Sequence, residues 1–303
     1  MPNQQKNILI TGSSGMIGRA LGKSLSKSGY KTYPLLRGKL DGPFYYDEQA
    51  GVVHQDPDIP LYGVINLAGA NISDKRWNDA RKQEIILSRE LLTKALSESL
   101  AKQIKKPAVY MSGSAIGYYG PTPSSYATEA SPAGSDFLAE VAIRWENATA
   151  AASNAGIRTI NMRFGIVLSV TGGVLKNFLL PMRLAVVGAI GSGQQKISWM
   201  SIHDVMRLIE LGLTDEKLKG PINFVSNSAV TSNNFAIALS SASKRFRLPT
   251  VPAPVARLMF GEMADAALLA SSDVRSTKHD EMVFELQHPE LEAALKHLLD
   301  TNT

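Results

Sequence analysis

Seven residues near the start of the chain, Gly12-Ser13-Ser14-Gly15-Met16-Ile17-Gly18, carry three glycines at a spacing suited to holding phosphate groups. Glycine lets a chain turn sharply and lets backbone approach a pyrophosphate with no Cβ in the way, and the third one lets a helix pack against the preceding strand. The N–H groups around Ser14, Gly15, Met16, Ile17 and Gly18 then open a helix toward the phosphates, at the end where partial positive charge gathers. Such a spacing is common alone. It gains force from its place between an apolar run, Lys6–Thr11, and an amphipathic stretch, Ile17–Ser28. That context predicts a dinucleotide, and Arg37 bears on which one. An acidic residue after the second strand would bind a ribose 2′-hydroxyl, whereas an arginine accommodates a 2′-phosphate. Here Arg37 has Lys39 nearby and no acidic residue before Asp41, so NADP(H) is favoured over NAD(H), with a solvated surface arginine as the alternative. The third apolar run ends in Leu67 and the small residues Ala68 and Gly69, where a cofactor would pass.

The elements that must position these residues alternate. Short β-branched runs at Lys6–Thr11, Lys31–Leu36, Gly63–Ala68, Ala108–Ser112 and Ile157–Phe164 read as strands. Helical patterns at Ile17–Ser28, Asp74–Ala101 and Ser135–Asn154 separate them, with an irregular Gly38–Pro60 and a loop at Gly113–Gly134. The expected fold class is α/β, a doubly wound parallel-sheet Rossmann fold with a smaller, discontinuous C-terminal α/β portion. Residues 1–168 form the nucleotide-binding domain, its sheet completed by about 195–230, and 169–303 form the substrate side. Within the latter, Leu175–Val187, Asp204–Leu213 and Asn233–Phe246 read as helices and Ile222–Ser226 as a strand. Pro249, Pro252 and Pro254 open a helical C-terminal domain, about 249–303.

Composition excludes several classes. The 303 residues contain no cysteine, which removes disulfide scaffolds, thiolate metal sites and cysteine nucleophiles. Histidines 54, 203, 279, 288 and 297 have no ligand spacing, so no metal is expected. His203-Asp204 reads as a helix start with Asp204 as N-cap rather than as a catalytic dyad. The net charge of +5 is spread along the chain, with no basic run for a nucleic-acid arm. No stretch is long and apolar enough for a membrane span or a signal sequence. A cytoplasmic protein acting on a small molecule is expected, and a homodimer stays open.

These motifs together resemble the short-chain dehydrogenase/reductase superfamily in its extended, epimerase-like form. More closely, the chain is similar to an atypical epimerase-like group of unassigned substrate. The carriers are Asn66-Leu-Ala-Gly-Ala-Asn-Ile72, Lys75-Arg-Trp77, Ser88-Arg89 and Ser114-Ala-Ile-Gly-Tyr-Tyr-Gly120. Trp145-Glu146, Arg163-Phe-Gly-Ile-Val-Leu168 and Gly261-Glu-Met-Ala264 add to them, so the match spans nearly the whole chain. The resemblance implies an NADP(H)-binding oxidoreductase on an unknown small molecule. It adds Glu84, Arg89 and Val167 to the residues facing the cofactor; for Arg89 a surface salt bridge is the alternative. Active superfamily members use a Tyr-x-x-x-Lys pair and an upstream serine. None of the nine tyrosines here has lysine four residues on, and the positions of the pair fall on Leu138 and Ala142. Ser114 matches the serine, as catalyst or as structure, and Tyr118 and Tyr119 beside it are either proton donors or ordinary loop tyrosines. Arg183, Gln194 and Gln195 are further pocket candidates. Relatives often place a cysteine at the lysine position, and Ala142 rules that substitute out. Two other readings stay open: a catalytically retired NADPH-sensing module and a nucleotide-sugar epimerase.

Overall fold

Apolar residues alternate along the central strands so that these feed two cores. The computed structural model describes residues 5–38, 42–122, 125–173, 175, 185–186 and 188–300. Its strands begin with β1 (Asn7–Thr11), β2 (Lys31–Pro34), β3 (Leu36–Arg37), β4 (Phe44–Asp47), β5 (Val52–Gln55), β6 (Gly63–Asn66), β7 (Val109–Ala115) and β8 (Arg158–Phe164). They continue with β9 (Ile166–Leu168), β10 (Ala185–Val186), β11 (Lys196–Ile197), β12 (Trp199–Ser201) and β13 (Gly220–Phe224). Six of them form one parallel sheet in the order β13-β8-β7-β6-β1-β2. Ile8 and Ile10 join Leu21, Leu25, Val205 and Ile209 on one face, while Leu9 between them joins Leu92, Leu96 and Leu100 on the other. Helices on both faces are what a parallel sheet requires, and the expected Rossmann architecture is the one observed.

Helix α1 (Met16–Lys27) follows the glycine turn. Helix α2 (Asp79–Ala101) starts five residues later than its pattern suggests, because the Asn78 side chain accepts from the Arg81 N–H and fixes the first turn there. The expected helix Ser135–Asn154 is two: α3 (Phe137–Asn147), capped by Asp136, and a short Ala150–Asn154 piece. Asp204 is not an N-cap. That role falls to Ser201, whose hydroxyl accepts from the Asp204 N–H and donates to its carboxylate, so the helix runs Ile202–Thr214. Asn233–Phe246 shortens to Ser232–Ser243, with Phe246 in a two-residue strand beside β10.

Within Gly38–Pro60, expected to be irregular, two strands form at Phe44–Asp47 and Val52–Gln55. Strands β3, β4 and β5 make a separate sheet, with Phe44, Tyr46 and Val53 turned into the core. The Asp47 carboxylate accepts two backbone N–H groups of the polar turn between β4 and β5, and turn chemistry of that kind hides a hairpin in a polar sequence. The run Lys31–Leu36 splits accordingly, since Pro34 ends β2 and Leu36 pairs with β4. Most of the helix expected at Leu175–Val187 lies outside the described residues, and Ala185–Val186 within it is extended.

Candidate functional site

The glycine turn has one arrangement open to it. Gly12 sits at φ +66°, where L side chains rarely go, and a Cβ there would lie 2.8 Å from the Leu67 carbonyl. A Cβ at Gly18 would run into the Gly12 carbonyl oxygen and come 2.7 Å from the Ser13 Cα. Gly15 is exposed and donates its N–H to Gly12 O at 2.9 Å; α1 then begins at Met16 with no side-chain cap. Its first-turn N–H groups, at Met16, Ile17 and Gly18, therefore have no partner within the helix and can take an anion. Gly172 and Gly173 lie on the Met16 side chain, and Gly173 also approaches the carbonyl of Val167, which brings Val167 to the turn.

Beneath the turn is a buried polar floor that sequence reasoning missed. Thr11 Oγ1 donates to Asn66 Oδ1 at 2.6 Å and accepts the N–H groups of Leu67 and Ala68, both at 3.1 Å. The Asn66 amide donates to Thr93 at 2.7 Å and to Ser112 at 3.3 Å. All four side chains are buried, so the network fixes the path of Leu67-Ala68-Gly69 against Gly12. The available signal was a polar residue closing each of three apolar strands.

The three charged candidates are placed differently. Arg37 lies on β3, outside the main sheet, about half-exposed, with Glu48 at 3.9 Å as a loose partner. Lys39 and Asp41 lie outside the described residues. Glu84 is exposed and bound to buried Arg81 at 2.6 Å; hydrogen bonding to Arg81 holds its carboxyl below the usual range. Arg89 extends over Gly69, where a Cβ would meet its guanidinium carbon at 2.9 Å. It stacks on the Trp145 ring at 5.0 Å and donates to the Ile85 carbonyl. No carboxylate among the described residues pairs with it, and burial, aided by Arg81, pushes its pKa down to about 10.

The proton-transfer candidates part ways. Ser114 is 2% exposed and donates to Glu146 Oε1 at 2.6 Å. Glu146 grips Arg163 through both oxygens, at 2.7 and 2.8 Å. Arg163 in turn donates to the Tyr119 hydroxyl at 2.8 Å, and Tyr119 donates to Asn223 at 2.7 Å. Burial raises the Tyr119 pKa. Burial also opposes the charge on Arg163, but the hydrogen bonds and charge of Glu146 outweigh it and raise its pKa. Ser114 and Tyr119 thus belong to an internal network. Tyr118 is only partly buried, its ring over the Arg163 guanidinium at 3.5 Å. At the positions of the superfamily pair, Leu138 packs on Gly117 and Ala142 is fully buried. Gln195 is buried, bonded to the Ile190 and Leu268 carbonyls, and so ties the C-terminal region down; Gln194 is exposed and Arg183 lies outside the described residues. His203 packs on His297, which in turn packs on His288, and no metal-holding group occurs among the described residues.

An open glycine turn at the carboxyl end of a parallel sheet points to known proteins of one kind. The sequence profile described as NAD dependent epimerase/dehydratase family matches residues 8–224. The chain belongs to this family. A second profile, a domain of unknown function, matches this family member at residues 251–298. An epimerase family protein of Staphylococcus saprophyticus is 34% identical over 97% of this chain and 99% of its own. The human epimerase family protein SDR39U1 (isoform 2), solved with NADPH, superposes with a TM-score of 0.86 at 29% identity, covering 97% of this chain and 99% of that one. A nucleoside-diphosphate sugar epimerase of Corynebacterium glutamicum gives a TM-score of 0.75 at 29% identity, over 97% of this chain and 58% of the other. No helix among the described residues is long and apolar enough to cross a membrane.

Proposed function

We propose that this epimerase-family protein is an NADP(H)-dependent oxidoreductase acting on a small carbonyl or alcohol substrate. The observation that carries the reading is the uncapped start of α1 behind Gly12 and Gly18, with the half-exposed Arg37 held among the described residues by a loose 3.9 Å contact to Glu48. The residues present fit the dinucleotide: a turn whose glycines leave no room for a Cβ, and an arginine as the 2′-phosphate partner. Its similarity to a human protein solved with NADPH supports the same choice. When bound, the cofactor supplies or accepts a hydride at the nicotinamide.

The first-turn N–H groups of Met16, Ile17 and Gly18 hold the pyrophosphate. Arg89, half-buried, supplies a positive charge beside Gly69 for a phosphate or ribose oxygen. Tyr118 gives the substrate oxygen its proton during reduction and regains one from water, since Tyr119 and Ser114 hold internal partners. Purified protein supplied with NADPH and a panel of aldehydes and ketones is expected to consume NADPH absorbance with at least one of them, and Tyr118→Phe to slow it. A protein that binds NADPH tightly and turns over nothing would move the reading to the second one.

That second reading is a retired dehydrogenase that senses NADPH. Leu138 and Ala142 stand where the acid/base pair would be, and this favours it. Partner capture that depends on NADPH against NADP+ would be its mark. Nucleotide-sugar epimerisation is disfavoured by the same two residues, and UDP-sugars added to the cofactor complex would reveal it.

A further inference from the structure

Arg163 on β8 is 3% exposed, and each nitrogen of its guanidinium donates one hydrogen bond. Nε and Nη2 donate to the two oxygens of Glu146, and Nη1 to the Tyr119 hydroxyl. A guanidinium held by such bonds still offers its flat faces to an aromatic ring. Tyr118 lies on a face, its ring centroid 3.5 Å from the guanidinium carbon. The same Glu146 oxygen that takes the Arg163 Nε–H also accepts from Ser114. So Ser114 at the end of β7 and the tyrosine pair that follows it are registered on a single ion pair. Burying two charges carries a desolvation penalty that an apolar pair of equal volume avoids; stability alone is a weak reason for such a pair.

We propose that Arg163, clamped by Glu146, is the positioning residue that sets the Tyr118 ring for proton transfer. This rests on the reading of Tyr118 as the proton donor. The guanidinium plane sets the tilt of the ring, and the two-oxygen grip of Glu146 holds that plane in place. Lysine, a point charge on a flexible stem, has no such plane and would hold the ring in part only.

Fluorine NMR of protein labelled with fluorotyrosine tests both layers, with Tyr118 assigned by its absence in Tyr118→Phe. In the parent protein the Tyr118 resonance is expected to stand apart from that of tyrosine in the urea-unfolded chain and to move on saturation with NADPH. The double variant R163M/E146Q removes both charges and strands neither. In it the Tyr118 resonance is expected to lose its displacement, and R163K is expected to keep part of it. An unchanged Tyr118 resonance in R163M/E146Q overturns the positioning role. If the double variant fails to fold, the comparison of R163K with the parent decides, and an unaltered resonance there overturns the proposal too. A Tyr118 resonance blind to saturating NADPH, with its dependence on Arg163 intact, instead overturns Tyr118 as the donor.

Discussion

Ser114 donates a 2.6 Å hydrogen bond to Glu146, the carboxylate that also holds Arg163. A hydroxyl has one proton to give. With that proton on Glu146, Ser114 offers a ligand lone pairs only, and at 2% exposure it offers few of those. Its place in the sequence matched the superfamily serine, yet its hydrogen bond makes it part of the frame around the site.

Replacing Ser114 with alanine should therefore lower stability more than cofactor binding. Losing a buried hydrogen bond to a charged group costs about 1.5–3 kcal/mol. The expected outcome is a lower denaturant midpoint, read by circular dichroism, with the NADPH fluorescence titration unmoved.

Gly18→Ala and Gly15→Ala should separate fold from binding. An added methyl at Gly18 meets the Gly12 carbonyl, and overpacking of that kind costs about 1–3 kcal/mol. At Gly15 the nearest atom is the Gly12 oxygen at 3.1 Å, and the rest of the space is open. Thermal melts should show the loss at Gly18, while Gly15→Ala should melt near the parent and bind NADPH more weakly.

Arg37→Gln should distinguish the two dinucleotides. If the guanidinium holds the 2′-phosphate, its loss removes a charge-assisted contact worth about 1.5–3 kcal/mol, or roughly 10- to 100-fold in affinity. Calorimetric titration should show this for NADPH and no comparable change for NADH. Equal losses for both would refute the assignment.

Stability should fall on acidification. Burial pushes the His279 pKa below its ordinary value of 6.5, against the opposing pull of Glu129, and burial lowers His203 as well. Each imidazole is then neutral in the fold but protonated in the unfolded chain just below pH 6.5. The unfolded state binds more protons there, so this stability is complete above 6.5 and is lost as pH falls toward the folded pKa, by at most about 1.4 kcal/mol per pH unit for each group. Denaturant midpoints across that range should drop, and His279→Gln should flatten the slope.

Much of the fold is local information. The turn from Gly12 to Gly18 is legible because sterics within a few residues dictate glycine there, and the six strands because both faces of a parallel sheet are buried. The hairpin of β4 and β5 was not legible. Its strands are four residues each, and a polar turn joins them. Likewise the start of α2 was displaced by one side-chain cap that outweighed the apolar pattern.

By itself the sequence determined the glycine turn, the order of strands and helices, and the lack of a Tyr-x-x-x-Lys pair, since each is a matter of residue type at short spacing. Only the tertiary structure decided which of Ser114, Tyr118 and Tyr119 keeps a partly open position. Their partners Glu146, Arg163 and Asn223 come from α3, β8 and β13, and the parallel crossovers bring them together. A hydroxyl's chemistry depends on where its proton is already bound, and a partner a hundred residues away leaves no trace in local spacing.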